Sequence, residues 1–426
     1  MTGRRRLAAV ALAACLLGAL TGCPTPVDRA PEPSATPTAG DALPARPTGA
    51  SVDLPAYAGP PPGAPPSRGP LRTVVAAVNL TPATPGVFAR TAAAVAAPGG
   101  GAYVVLTPSD RRLPQSLVTV DATGAITAVV PMPRVDDVWG MHVLGDGTVA
   151  VTGQLTSGGT TGYGVEVADP SSGALRATVA VPAETGTVSA LGTSALGGST
   201  LYLFLSTGTA DGGSERLLAL DVPTGRVLAD RDLAGDVGAA SLQPAGRQLG
   251  GLVPRPGGGV TLVFDAAPTE EVTARIPTLL AFDARLDPAG EPVRATDLSE
   301  GAEIQAVAGT ADGTVFLLVE VDEGTWVLAI PDGGGAGPLL GQFQERIYNY
   351  ALVVEPAQEW ALLPHPEGVL SRDLRTGDVS GPLRFRCGPR LDVQDLQPGA
   401  DGFGAVAIGE CDDPREDTQM LWLLGP

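Results

Sequence analysis

Gly259-Val260-Thr261-Leu262-Val263-Phe264 is a turn residue followed by five uncharged side chains, four of them apolar. Runs this short, β-branched and aromatic, bounded by glycine, read as strands rather than helices. The same signature recurs six more times, at Gly101-Ala102-Tyr103-Val104-Val105-Leu106, Gly147-Thr148-Val149-Ala150-Val151, Ser199-Thr200-Leu201-Tyr202-Leu203-Phe204, Gly313-Thr314-Val315-Phe316-Leu317-Leu318, Glu359-Trp360-Ala361-Leu362-Leu363 and Gly402-Phe403-Gly404-Ala405-Val406-Ala407-Ile408. The interval is roughly 45 to 60 residues, close to the period of propeller blades.

After most of these runs comes a second strand that ends in an Asp-and-Gly turn: Asp121-Ala122-Thr123-Gly124, Asp169-Pro170-Ser171-Ser172-Gly173, Asp221-Val222-Pro223-Thr224-Gly225 and Asp373-Leu374-Arg375-Thr376-Gly377. The Asp side chain caps such a turn and Gly supplies positive φ, so each predicts a tight hairpin. Helical periodicity is almost absent. Short antiparallel strands repeated along the chain leave edges that must be paired or covered, and radial closure does this. The expected fold is all-β: a seven-bladed β-propeller of four-stranded antiparallel blades over residues 71–426. Its last blade takes Gln419–Leu424 as third strand, and the N-terminal stretch Leu71–Val78 supplies the missing outer strand. A six- or eight-bladed ring is the alternative.

The segment Leu217-Leu218-Ala219-Leu220-Asp221-Val222-Pro223-Thr224-Gly225-Arg226-Val227-Leu228 resembles the repeat of pyrroloquinoline-quinone-type (PQQ-like) propellers. There, a strand ends in Ala-Leu-Asp, turns through Thr-Gly and resumes as the outermost strand. The tryptophan expected a few residues after the turn glycine is missing in every blade, so the resemblance implies an architecture and carries over no cofactor. Quinone-binding members of that family are alcohol or sugar dehydrogenases; members without the quinone site are scaffolds for envelope assembly.

At the N-terminus, Arg4-Arg5-Arg6 precedes an uncharged run, Leu7–Leu20, and then Leu20-Thr21-Gly22-Cys23. The run is too short for a permanent transmembrane helix and suits a cleavable export signal. The Leu-Thr-Gly-Cys sequence is similar to the bacterial lipobox. That resemblance implies a signal peptide at 1–22 and a lipoprotein with Cys23 carrying diacylglycerol and an N-terminal acyl chain such as palmitate. Two or more chains anchor stably at the extracytoplasmic face of the cell membrane; ordinary secretion is the alternative. Residues 23–70 are dense in Pro, Ala, Thr and Gly, with Pro60-Pro61-Pro62 and Pro65-Pro66, and read as a disordered tether that cannot pack a core.

Aromatics make up 4% of the 426 residues, so small aliphatic side chains must fill the core. The formal charge is −19, and loss of residues 1–22 with Arg4, Arg5 and Arg6 makes it −22. Such a surface repels nucleic acid, which is not an expected partner. With Cys15 removed and Cys23 lipidated, Cys387 and Cys411 remain, and an oxidising compartment favours their disulfide. A metal or redox role would want more ligands or a C-x-x-C spacing.

Catalytic motifs are thin. His142 and His365 fall in different blades without metal-ligand spacing, and structural roles are favoured for both. The acidic stretch Glu410–Asp417 lacks the alternating pattern of a calcium loop. No cofactor, metal or catalytic residue is assigned. The stretches Thr107–Ser116, Gly153–Gly164, Asp265–Pro277 and Glu410–Gln419 read as long polar loops on one face of the ring, where binding is usually built. On that face the first strand of each blade should bring up Phe88 and Arg90, Asp137 and Trp139, Glu303 and Gln305, and Tyr348 with Tyr350. These are the candidate partner-binding residues, the aromatics alternatively serving to plug the channel or cover blade junctions. The expected function is a non-catalytic binding or scaffold module for an envelope protein or glycan. The rival is an extracytoplasmic enzyme, such as a quinone-dependent dehydrogenase or a lyase, on the same ring.

Overall fold

The structure is a computed structural model that describes residues 59–426, except 85–88, 111, 133, 158–159, 184–186, 210–211, 234–248, 267–275, 295–302, 322–323, 333–338, 344–350, 388–389 and 414–415. Cys23, Phe88, Tyr348 and Tyr350 therefore lie outside the described residues.

After β1 (Thr73–Asn79) the strands follow in blades of four. The first is β2 (Ala89–Ala96), β3 (Ala102–Pro108), β4 (Gln115–Val120) and β5 (Ile126–Met132). The second is β6 (Val135–Val143), β7 (Val149–Ser157), β8 (Thr160–Ala168) and β9 (Leu175–Pro182). The third is β10 (Thr187–Gly197), β11 (Thr200–Thr209), β12 (Gly212–Asp221) and β13 (Arg226–Asp232). The fourth is β14 (Leu249–Pro254), β15 (Val260–Ala266), β16 (Ile276–Phe282) and β17 (Val293–Arg294). The fifth is β18 (Glu303–Gly309), β19 (Val315–Val321), β20 (Gly324–Ile330) and β21 (Leu339–Phe343). The sixth is β22 (Val353–Val354), β23 (Trp360–His365), β24 (Gly368–Asp373) and β25 (Val379–Arg384). The seventh holds β26 (Arg390–Pro398), β27 (Ala405–Asp413) and β28 (Glu416–Gly425), with β1 as its outer strand.

Every pairing is antiparallel, and the first strands of successive blades touch in the closed order β2, β6, β10, β14, β18, β22, β26 and back to β2. The protein is a seven-bladed β-propeller. The repeated apolar runs are the second strands of the blades. β3, for example, is buried at six of its seven residues, because neighbouring blades cover both of its faces. The outer strands alternate, as in β9 and β13, because one face meets water. Glycine opens β3 and β15 for a definite reason: at Gly101 (φ 84°) and Gly259 (φ 99°) a Cβ would collide with the carbonyl oxygens of Val120 and Phe282. In the Asp turns, Asp121 accepts hydrogen bonds from Thr123 N, Thr123 Oγ1 and Ala125 N at 2.8, 2.7 and 3.0 Å. Those donors hold its carboxyl below the usual range.

Ring closure is by chain pairing. β1 runs from Thr73 opposite Gly425 to Asn79 opposite Met420, and Leu80 N then donates to Gln419 O at 2.8 Å. Contacts begin ahead of the strand. Ser67 Oγ donates to Glu355 Oε1 at 2.7 Å, Arg68 pairs with Asp401 at 2.6 Å and lies 4.5 Å over the Phe403 ring, and Leu71 N donates to Ser371 Oγ at 3.1 Å. The disulfide Cys387–Cys411 links the connection after β25 to β27, across the last junction.

Two stretches expected as loops are paired instead. Gly153 faces Gly164 and the pairing of β7 with β8 continues to Ser157 opposite Thr160; likewise β27 and β28 pair out to Asp413 opposite Glu416. Glycine and acidic residues hid the strand continuation, because they interrupt the apolar alternation by which a strand is read.

Candidate functional site

The described candidate residues all lie on innermost strands. Arg90 is exposed near the start of β2, Asp137 and Trp139 stand on β6, and Glu303 and Gln305 begin β18. A common device holds these strand starts. Gln115, 3% exposed at the head of β4, donates through Nε2 to Asp136 O at 2.9 Å, next to Asp137. Its Oε1 accepts from Thr107 Oγ1 at 2.9 Å. Gln419, 2% exposed on β28, accepts from Thr91 N at 3.1 Å and Thr91 Oγ1 at 3.2 Å, next to Arg90, while its Nε2 donates to Glu410 Oε1 at 2.6 Å. Asp265, 5% exposed on β15, accepts from Ile304 N at 3.0 Å, next to Glu303. Each is a buried polar group that is hydrogen-bonded across a blade junction, which fixes the register of the next blade's first strand.

Irregular pairing shapes the same strands. The register shifts between Thr91 and Ala93, between Ile304 and Ala306, and on β6 between Val135 and Asp137 and again between Val138 and Gly140. Such bulges bend a strand and re-aim a side chain. Gln305, in the bulge of β18, donates to Glu320 Oε2 at 2.9 Å. Trp139, in the second bulge of β6, swings onto the third blade, so close to Gly192 that a Cβ there would collide with its Cε3. Its ring stacks on Tyr163 with centroids 5.7 Å apart, and its Nε1 donates to Asp137 Oδ2 at 3.3 Å. Trp139 thus covers a blade junction and orients an exposed carboxylate.

Below it, His142 Nε2 lies 2.8 Å from Ser194 Oγ, which lies 2.8 Å from Thr152 Oγ1. Burial pushes the imidazole down to about 4, so it is neutral at pH 7. His365 Nδ1 accepts from Glu367 N at 3.1 Å. Asp395 on β26, which no sequence pattern singled out, bonds to Gln397 Nε2 at 3.1 Å, and burial raises its carboxyl. Among the described residues no group of His, Cys, Asp or Glu is placed to hold a metal. The described starts of β2, β6 and β18 thus carry Arg90, Asp137 and Glu303, each next to a residue whose backbone a buried polar side chain holds.

No protein-family model matches the chain, and no curated protein matches it. Among solved structures it is similar to puromycin hydrolase, with TM-score 0.52 and 14% identity over 84% of this chain. The chain spans about half of that protein, 55% of its length. It is also similar to virginiamycin B lyase from Staphylococcus aureus, a catalytically inactive form with quinupristin, with TM-score 0.50 and 10% identity over 82% of this chain and 98% of that one. These likenesses concern the fold alone.

Proposed function

We propose that the chain is a lipid-anchored, extracytoplasmic β-propeller whose channel mouth binds an envelope protein or glycan, without chemistry of its own. The observation that carries this reading is the repeated clamp, which anchors the backbone next to Arg90, Asp137 and Glu303 at the starts of the first strands. The Cys23 lipobox, the Pro-rich 23–70 tether and the PQQ-like repeat Leu217–Leu228, in a family with scaffold members, support it. Capture of partners from envelope extract tests it: the intact protein should retain one reproducible partner, and a variant with Arg90→Ala, Asp137→Ala and Glu303→Ala should lose it. Equal capture by both, or none by either, contradicts the reading. Membrane fractionation of Cys23→Ala tests the anchor, with release from the membrane expected.

The second reading is an enzyme on the same ring, a quinone-dependent dehydrogenase or a lyase. Its support is the hydroxyl–imidazole contact of Ser194 with His142, and the fold neighbours named as a hydrolase and a lyase. Quinone and calcium reconstitution followed by dye reduction with alcohols and sugars decides the dehydrogenase form.

A further inference from the structure

Among the described residues the exposed large apolar side chains sit, with two exceptions, on outermost strands: Val75 on β1, Val129 on β5, Leu175 on β9, Val227 and Leu228 on β13, Val379 on β25. The exceptions are Leu113, 43% exposed in the connection from β3 to β4, and Leu191, 47% exposed on the innermost strand β10. A chain of contacts joins them across the first three blades. Leu113 N donates to Asp110 O at 3.0 Å, and Gln115, two residues on, donates to Asp136 O at 2.9 Å. Asp137 comes next and accepts from Trp139 Nε1 at 3.3 Å, and the half-buried Trp139 ring lies against Gly192, the neighbour of Leu191. Leu113, Trp139 and Leu191 are therefore successive members of one band, with one large apolar group from each blade.

The middle of the band is acidic. Asp136 and Asp137 are both exposed, and β6, β7, β8 and β10 carry no arginine. Arg134, just ahead of β6, donates to Thr178 Oγ1 at 3.3 Å, while the exposed Arg90 and Arg112 belong to the first blade. We propose that this band docks a protein segment that presents a basic side chain between two apolar ones, the apolar groups meeting Leu113 and Leu191 and the cation meeting Asp136 and Asp137. The proposal rests on the binding reading and chooses protein over glycan. A sugar ring would need an open aromatic face, whereas the Trp139 ring is stacked on Tyr163 and laid against Gly192, and its N–H is taken by Asp137. Exposed apolar groups rimmed by charge mark protein contacts, and complementary charge selects the partner. The Gln115 bond and the packing of Trp139 hold the band in place before a partner arrives, which lowers the ordering penalty of binding.

Binding to the full chain, read by fluorescence anisotropy of the labelled probe, tests it with synthetic peptides alternating Leu and Lys, the same peptides with Glu for Lys, and soluble cell-wall glycan. The Leu/Lys peptides should bind, more weakly as salt rises, and the other two probes should not. Leu113→Asp with Leu191→Asp should weaken the Leu/Lys peptides at least about tenfold, whereas mere attraction to an acidic protein would be strengthened by the added charge. Leu228→Asp on the rim should leave binding unchanged. Asp136→Asn with Asp137→Asn should slow association and flatten the salt dependence, which keeps the test open if the leucine variant melts early. Failure of the Leu/Lys peptides to bind, undiminished binding by the leucine variant in folded form, an unaltered salt dependence in the asparagine variant, or binding of the glycan alone overturns the proposal. Envelope capture separates it from the reading beneath it: a partner lost by the Arg90→Ala, Asp137→Ala, Glu303→Ala variant but kept by Leu113→Asp, Leu191→Asp sinks the docking band and leaves the binding reading standing.

Discussion

At the seventh blade, strands from opposite ends of the chain are brought together, whereas between the second and third blades the touching strands are near neighbours in sequence. The first region is tied within and on both sides: β1 pairs along its length with β28, Cys387 bonded to Cys411 and fully buried Trp422 stacked on Phe385 at 4.5 Å join it to the sixth blade, and Gln419 grips Thr91 of the first. The second is held by shape, with Trp139 laid on Gly192 and a His142–Ser194–Thr152 chain of hydrogen bonds beneath. Closing a long loop carries an entropic penalty that short connections avoid, so the ring concentrates its ties where the chain must return on itself.

Removing residues up to 80 should break this contrast most severely. Without β1 the β28 edge and the buried side chains of Leu421 and Leu423 are uncovered, and calorimetry should show the cooperative unfolding transition lost or the protein aggregated. Replacing Cys387 and Cys411 by Ser should cost about 3 kcal/mol in denaturant titration, because the bridge closes a loop between residues 24 apart. Gly192→Ala attacks the other junction by overpacking: the new methyl meets Trp139, and a loss of about 1–3 kcal/mol is expected, with quenching or shift of tryptophan fluorescence.

Acid separates the two junctions by mechanism. His142 is held near 4 in the fold against 6.5 when free, so the unfolded chain takes up the proton first. Stability should fall as pH drops from 6.5 to 4 and level below that, and His142→Gln should flatten this part of the profile. The smallest effect belongs to Arg68→Ala, whose pair with Asp401 is half-exposed; about 0.5 kcal/mol is expected from equilibrium melts.

The sequence made the ring legible because its central strands are buried on both faces, which writes an unbroken apolar run after each turn, and because Asp and Gly mark the third-to-fourth-strand turns chemically. The closing strand was legible from what the last blade lacked. The hairpins at 153–164 and 410–419 were not, since their arms carry glycine and acid rather than alternation. Trp139 could be placed on β6 but not aimed, because the bulge that turns it toward Gly192 is a property of pairing register. The clamps were equally hidden. Gln115, Asp265 and Gln419 look like ordinary polar strand ends, and only the position of the next blade gives each its partner.

The central claim, one wheel closed by its own N-terminal strand, is tested most directly at the pair Thr73 and Gly425, where a Cβ on residue 425 would lie 3.0 Å from Thr73 Oγ1. A Thr73→Cys, Gly425→Cys variant should oxidise within one chain, giving a faster-migrating monomer on a non-reducing gel and a raised melting temperature. Cross-links that form only between chains, or none at all in folded protein, would contradict the closure.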